Sequence, residues 1–112
     1  MRVGFVNGCF DLLHVGHIEM LEYAKSMCDH LVVAVDTDQR VRQSKGPTRP
    51  FNNVDDRQRM LIALRAVDET ACFSTDEELT ETVKRYKPDI MVVGSDWEGK
   101  KVIGSEPAKE LK

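Results

Sequence analysis

Two histidines three residues apart are the chemically most informative feature of this sequence. His14 and His17 lie in the run NGCFDLLHVGH (residues 7–17), between a short apolar segment and an amphipathic one. On the first turn of a helix this spacing puts both imidazoles on one face, and Gly16 leaves room between them. Imidazoles placed there can donate hydrogen bonds to phosphate oxygens and stabilise charge in a transition state. The pair therefore indicates phosphoryl or nucleotidyl transfer, in which positioning and electrostatics supply most of the catalysis.

A zinc site is the competing interpretation of the two histidines. Only His30 remains as a further histidine, and no cysteine pair lies nearby, so the usual ligand set is lacking. Ordinary capping or core roles would be enough for an isolated pair. Gly8, Asp11 and Gly16, at a predicted strand–helix junction, favour phosphate binding, because glycine lets a backbone pass close to a phosphate and helix amino termini attract anions.

Alternating apolar and amphipathic segments predict the elements that position this motif. Four apolar runs without polar alternation favour strands of a parallel sheet covered on both faces. They span residues 3–6, 31–35, 67–74 and 90–93. Three segments have helical apolar spacing. One begins after His14, and the other two span residues 54–67 and 77–86. This order predicts an α/β fold with a Rossmann-like, doubly wound parallel sheet, in which ligands bind at the carboxyl ends of the strands.

Residues 39–53 form one long polar connection between these elements. The basic residues in it are Arg40, Arg42, Lys45 and Arg49. We predict a loop that either binds a ligand or is mobile, since it is too long for a simple connector. The flexible ammonium of Lys45 suits a phosphate, and the local concentration of charge favours that role over a solvated lysine.

Length and composition limit the setting. The 112 residues fit a single domain over 1–112, and no apolar run approaches the roughly 20 residues of a membrane span. Sixteen Lys and Arg against nineteen Asp and Glu give a net charge of −3, which argues against a nucleic-acid partner. Cys9, Cys28 and Cys72 are odd in number and widely spaced, so we expect free thiols in a reducing cytoplasm.

The motif resembles the GxFDxxHxGH form of the cytidylyltransferase-like branch of the HxGH nucleotidyltransferase superfamily. The resemblance continues along nearly the whole chain, through residues 31–38, 45–50, 57–68 and 94–97. It implies transfer of a nucleoside monophosphate from a nucleoside triphosphate to a phosphorylated small molecule, with release of pyrophosphate. It also implies in-line attack without a covalent intermediate, with Mg²⁺ neutralising charge.

The resemblance also implies roles for individual positions. It makes His14, His17 and Lys45 the catalytic residues, with the histidines on the triphosphate and the lysine on a phosphate. Asp11 would lie near the metal, as a possible Mg²⁺ ligand. The positions expected to bind the nucleotide are Gly8, Cys9, Phe10, Asp11, Gly16, Arg57, Arg65, Asp96 and Trp97.

Several of these positions have simpler alternatives. Arg57 and Arg65 lie eight residues apart on one predicted helix face, and the resemblance favours phosphate contact over a solvated face; Arg59 is interpreted as solvated. Asp96 follows the fourth strand and would hold a ribose hydroxyl or a base edge. Trp97 either stacks on the base or caps the core.

The sequence points to two pairs of substrates. Residues 96–100 resemble glycerol-3-phosphate cytidylyltransferases, which favours CTP and glycerol 3-phosphate. Residues 45–52 and 102–106 resemble heptose-1-phosphate adenylyltransferases, which favours ATP and a sugar 1-phosphate. We expect the cytidylyltransferase, with the adenylyltransferase as the alternative.

The carboxyl-terminal part of the sequence departs from the family pattern. The family usually continues past the position of Glu106 into a further strand and a Ser/Thr-rich segment that opens a last helix and binds the triphosphate. No such segment precedes Lys112, so we expect a fold that lacks the last strand and helix. A shortened, non-catalytic nucleotide-binding module is therefore a further alternative. Because family members commonly pair, a homodimer is also expected.

Overall fold

Four parallel strands form one sheet in the computed structural model, which describes residues 1–92. They are β1 (Val3–Gly8), β2 (His30–Asp36), β3 (Glu69–Phe73) and β4 (Ile90–Met91), and they stand in the order β3-β2-β1-β4. Val3 to Gly8 of β1 pair with His30 to Val35 of β2, and Val32 to Asp36 of β2 pair with Glu69 to Phe73 of β3. The carboxyl ends of β1 and β2 therefore lie side by side at one edge of the sheet.

Helices cover both faces of this sheet. They are α1 (Val15–Ser26), α2 (Asp38–Lys45), α3 (Val54–Ile62) and α4 (Asp76–Tyr86). Side chains of β2 alternate between two apolar clusters: Val33 packs with Leu21 of α1 and Leu61 of α3, whereas Val32 packs with Leu79 of α4. The predicted α/β class with a doubly wound parallel sheet is confirmed.

The helix α2 occupies part of the segment that was predicted to be a long loop. Thr37 caps it by accepting a hydrogen bond from the backbone N–H of Arg40 at 3.4 Å, and Val41 is its only buried residue. With one apolar residue, the helix has no apolar periodicity, which is the signal that reveals helices in a sequence. The prediction of a loop over residues 39–53 was therefore wrong for its first half.

Other boundaries differ by a few residues. The second predicted helix, residues 54–67, corresponds to α3 and ends at Ile62, and the third strand begins at Glu69 rather than at Val67. The predicted positions of Asp96 and Trp97, and the expected lack of a last strand and helix, lie outside the described residues. Within residues 1–92 no helix is long and apolar enough to cross a membrane.

Candidate active site

An open crevice lies at the carboxyl ends of β1 and β2, between the amino terminus of α1 and the helix α2. Its volume is about 1140 Å³, slightly above the roughly 300–1,000 Å³ of ordinary small-molecule sites, so it has room for a nucleotide together with a small acceptor. The predicted site residues that line it are Gly8, Cys9, Phe10, Asp11, His14, Gly16, His17 and Lys45.

The two motif histidines form the amino-terminal cap of α1. His14 is the N-cap residue, and its Nδ1 accepts a hydrogen bond from the backbone N–H of Gly16 at 3.1 Å. In return, Nδ1 of His17 accepts from the backbone N–H of His14 at 3.3 Å, which completes a capping box. The rings stack with centroids 3.9 Å apart. The three-residue spacing therefore fixes the two imidazoles against each other before any ligand binds.

The hydrogen bonds of the cap also determine which ring nitrogen can donate. Because each Nδ1 accepts a backbone N–H, the network assigns the proton of a neutral ring to Nε2 in both histidines. The first turn of α1 contains no acidic residue, unlike the first turns of α2, α3 and α4. The positive end of the α1 dipole is thus left for an external anion, beside two imidazole donors.

Neighbouring aromatic rings leave no space for a side chain at two glycines of the motif. A Cβ at Gly16 would approach Cε1 of His14 to 2.9 Å, so a larger residue would displace the capping ring. A Cβ at Gly8 would meet Cε2 of Phe10 at 2.9 Å. The ring of Phe10 in turn contacts His17 edge to face, with centroids 5.2 Å apart. The described structure thus gives Gly8 a role in seating Phe10 behind His17.

Asp11 anchors the loop between α2 and α3 through hydrogen bonds, and its carboxylate is not free to bind a metal ion. Its carboxylate accepts hydrogen bonds from the backbone N–H groups of Phe51 and Asn52 at 2.9 Å and from Nε of Arg49 at 3.0 Å. Burial alone would raise the pKa of Asp11, but these donors outweigh it and lower the pKa. Both carboxylate oxygens are engaged by protein donors, so the residue does not fit the predicted role of Mg²⁺ ligand.

The described residues also provide no other metal-binding group of side chains in place of Asp11. Among residues 1–92 no group of three or more His, Cys, Asp or Glu side chains could hold a metal ion. Mg²⁺ in nucleotide enzymes is usually held by substrate phosphates and one or two carboxylates, and Asp11 is not available as one of them.

Arg57 is fully buried, which corrects the prediction that it faces a phosphate. Its Nε donates to the backbone oxygen of Asn52 at 3.0 Å, its Nη1 to that of Cys9 at 2.9 Å, and its Nη2 to Oδ1 of Asp38 at 2.8 Å. One guanidinium thus joins the turn after β1, the start of α2 and the loop before α3. Arg57 positions the walls of the crevice and does not line it.

The second arginine predicted on the same helix is also placed elsewhere. Arg65 is exposed and lies beyond Ile62, where α3 has already ended and the chain turns towards the start of β3. Arg65 therefore lies near the amino ends of the strands, whereas the crevice lies at their carboxyl ends. The prediction that it binds the nucleotide is corrected.

Lys45 and Cys9 both line the crevice, with different accessibility. Lys45 is exposed in the last turn of α2, next to Gly46, whose φ of 102° ends the helix. The Cys9 thiol is half-buried, and this burial raises its pKa although Lys45 and Arg57 act in the opposite direction. Lys45 can therefore reach an anion, while Cys9 contributes a neutral wall.

Sequence reasoning did not single out several polar residues that line the crevice. They are Asp36 at the end of β2 and Gln43 and Ser44 on α2; Arg40 and Arg49, which also line it, had been named only as part of the basic connection. The available signal was positional: Asp36 ends a strand that neighbours the strand carrying the motif, so both must reach the same edge of the sheet.

Comparison with known proteins defines the class to which this fold and crevice belong. Residues 5–106 match the family described as "Cytidylyltransferase-like". The chain belongs to this family, which confirms the resemblance seen in the motif and the predicted class of nucleotidyltransferase domain.

Among curated proteins, the chain is similar to bifunctional HldE proteins. It is 50% identical to "Bifunctional protein HldE" of Sulfurimonas denitrificans over 99% of the chain and 23% of that protein. The HldE protein of Campylobacter fetus is 49% identical over 96% of the chain and 23% of its own length. The chain thus spans about a quarter of the length of these relatives.

Solved structures agree with this family. The lipopolysaccharide core biosynthesis protein of Thermoplasma volcanium superimposes with a TM-score of 0.78 and 33% identity, over 88% of this chain and 78% of that one. A pantoate–β-alanine ligase from Francisella tularensis, with a TM-score of 0.57 and 18% identity over 81% of this chain and 48% of that one, shares the fold.

Proposed function

We propose that this chain transfers a nucleoside monophosphate from a nucleoside triphosphate to a phosphorylated acceptor and releases pyrophosphate. The observation that carries the proposal is the stacked pair of His14 and His17 at an acid-free helix amino terminus inside the crevice. Membership of the cytidylyltransferase-like family supports the same reaction.

The chain's own residues supply charge stabilisation in this reaction. A phosphate oxygen of the acceptor attacks the α-phosphorus, the new O–P bond forms, and the bond to the β-phosphate breaks as pyrophosphate leaves. The imidazoles of His14 and His17 donate hydrogen bonds to the phosphate oxygens on which charge develops. Lys45 adds a mobile positive charge from the opposite wall of the crevice.

We propose ATP and a sugar 1-phosphate of the heptose type as the substrates. The first expectation, CTP with glycerol 3-phosphate, has less support, because the similar proteins include a lipopolysaccharide core biosynthesis protein and bifunctional HldE proteins. A lipopolysaccharide core is an oligosaccharide, so its synthesis consumes activated sugars rather than activated glycerol. The cytidylyltransferase-like family itself does not decide between the two bases.

The remaining expectations also stand as proposals. We propose that residues 1–112 form one domain, that Mg²⁺ arrives on the phosphates of the nucleotide, and that the chain forms a homodimer in the cytoplasm. Titration of activity with Mg²⁺ and sedimentation of the purified chain test the second and third of these.

Pyrophosphate release from each pairing of ATP or CTP with heptose 1-phosphate or glycerol 3-phosphate tests the function. We expect the highest kcat/KM with ATP and heptose 1-phosphate. A preference for CTP and glycerol 3-phosphate would restore the cytidylyltransferase. Nucleotide binding without release from any pair would favour a non-catalytic module, and the His17→Ala variant is the control for contaminating activity.

A further inference from the structure

A second carboxylate lines the crevice and is bonded far less completely than Asp11. Asp36 ends β2, and its side chain is 21% exposed. Within residues 1–92 only one cation is in ionic contact with it, Nε of Arg40, at 3.4 Å. Its own backbone N–H adds a hydrogen bond, so among residues 1–92 Asp36 still has fewer close donors than the three of Asp11.

The arginine beside Asp36 is held by other groups. Nη2 of Arg40 donates to Oδ1 of Asp76 at 2.8 Å, and its Nη1 donates to the backbone oxygen of Ser74 at 3.3 Å. Its guanidinium also lies over the ring of Phe73, 5.0 Å from the centroid. These contacts fix Arg40 towards α4, so it cannot move closer to Asp36 without losing them.

The cost of removing the Asp36 carboxylate from water is therefore not fully offset by the positive charges nearby. Burial raises the pKa of its carboxyl, and the opposing charges of Arg40 and Arg57 do not cancel this effect. An ionised carboxylate at this position therefore has acceptor capacity left for a ligand in the crevice.

We propose that Asp36 binds hydroxyl groups of a sugar ring in this crevice and thereby selects a polyhydroxylated substrate. The inference rests on the proposed function and names the part of the substrate that this wall recognises. A carboxylate repels a phosphate but accepts strong hydrogen bonds from hydroxyl groups. The phosphates belong with the imidazoles and Lys45, so the sugar ring faces the end of β2.

Two sugars could present these hydroxyl groups, the acceptor sugar and the ribose of the nucleotide. The neighbouring polar residues of α2, Gln43 and Ser44, also line the crevice and are compatible with either. The shared chemistry is a pair of ring hydroxyls donating to one carboxylate, and analogues that lack single hydroxyls distinguish the sources.

The experiment compares the full chain with its Asp36→Ala and Asp36→Asn variants by isothermal titration and steady-state kinetics. The ligands are heptose 1-phosphate, its monodeoxy analogues, ATP, 2′-deoxy-ATP and 3′-deoxy-ATP. We expect the unmodified chain to bind one deoxy analogue about tenfold more weakly than its parent, because hydrogen bonds to charged groups are strong. In Asp36→Ala this difference should fall below about twofold. A deoxy-heptose effect identifies the acceptor, and a deoxy-ATP effect identifies the ribose.

The Asp76→Asn variant is the matched control. It removes the other carboxylate partner of Arg40, which is 57% exposed and lies outside the crevice, and should leave the discrimination unchanged. Full discrimination in Asp36→Ala, or an equal loss in Asp76→Asn, would overturn the inference. Absence of pyrophosphate release with the binding pattern intact would contradict the proposed reaction alone, while absence of any hydroxyl discrimination would contradict the role of Asp36.

Discussion

Two aspartates in one crevice show opposite relations to the protein around them. Asp11 is 4% exposed, accepts from two backbone N–H groups and an arginine, and has a lowered pKa. Asp36 is partly exposed, has one ionic contact among residues 1–92, at 3.4 Å, and has a raised pKa. A carboxylate saturated by protein donors stabilises the fold, whereas one left with open acceptors is available to a ligand. The motif aspartate is thus the structural one of the two.

The same difference separates the basic residues. Asp11, Arg49, Asn52 and Arg57 form what we call the clamp, a set of side chains that bind each other or the backbone. Lys45, on the opposite wall, is exposed and lines the crevice. The clamp fixes the shape of the site, and the open wall offers groups to the substrate.

Replacement of Arg57 should have the largest effect and tests the clamp directly. Arg57→Met removes a fully buried cation, leaves Asp38 unpaired and frees the carbonyls of Cys9 and Asn52. We expect a loss of about 3–5 kcal/mol in the free energy of unfolding, measured with urea. Arg59→Met, on the exposed side of the same helix, should change it by less than about 0.5 kcal/mol. Normal stability in Arg57→Met with weakened nucleotide binding would return Arg57 to the phosphate site.

Asp11→Asn should have the next largest effect. The amide retains one acceptor oxygen but turns donor hydrogens towards donors in the loop, so we expect a loss of about 2–3 kcal/mol. If Asp11 were instead a metal ligand, stability without Mg²⁺ would hardly change and the Mg²⁺ requirement would rise.

The pH dependence sharpens this second prediction. Because the pKa of Asp11 is lowered in the folded chain, its stabilisation is fully present above its ordinary pKa of about 4 and is lost as the pH falls through the lower folded value. The difference in unfolding free energy between the unmodified chain and Asp11→Asn should therefore shrink in acid. A difference in unfolding free energy that stays constant down to pH 2 would contradict the role of the ionised Asp11 carboxylate in anchoring the loop.

His17 tests the open side of the crevice, where catalysis rather than stability should change. We expect His17→Ala to lower kcat roughly a hundredfold, as the loss of one donor to a developing charge usually does. His17→Gln is the informative companion, because glutamine at this helix position can still complete the capping box. It should fold like the unmodified chain and remain catalytically impaired. A loss of less than about threefold in His17→Ala would make the residue structural.

The sequence revealed the sheet better than it revealed the clamp. β-Branched runs such as residues 31–35 mark buried strands, and the strand–helix order determines that the motif and Asp36 meet at one edge. The burial of Arg57 could not be predicted, because its partners at positions 9, 38 and 52 are brought together only by the fold. The helix α2 was missed since one apolar residue gives no periodicity.

Asp36→Asn should have a small effect on stability, of opposite sign to that of Asp11→Asn. A carboxyl whose folded pKa is raised disfavours folding once the unfolded chain ionises, so replacing it should raise the free energy of unfolding at pH 7. The gain should fade as the pH falls through about 4, the ordinary pKa of Asp, because below it the carboxyl becomes protonated in both states. Arg40 retains Asp76 and the carbonyl of Ser74, so its packing is preserved. A net loss of stability at pH 7 would instead mean that Asp36, like Asp11, stabilises the fold. A gain in stability combined with weaker sugar binding is the result expected of a carboxylate that binds a ligand.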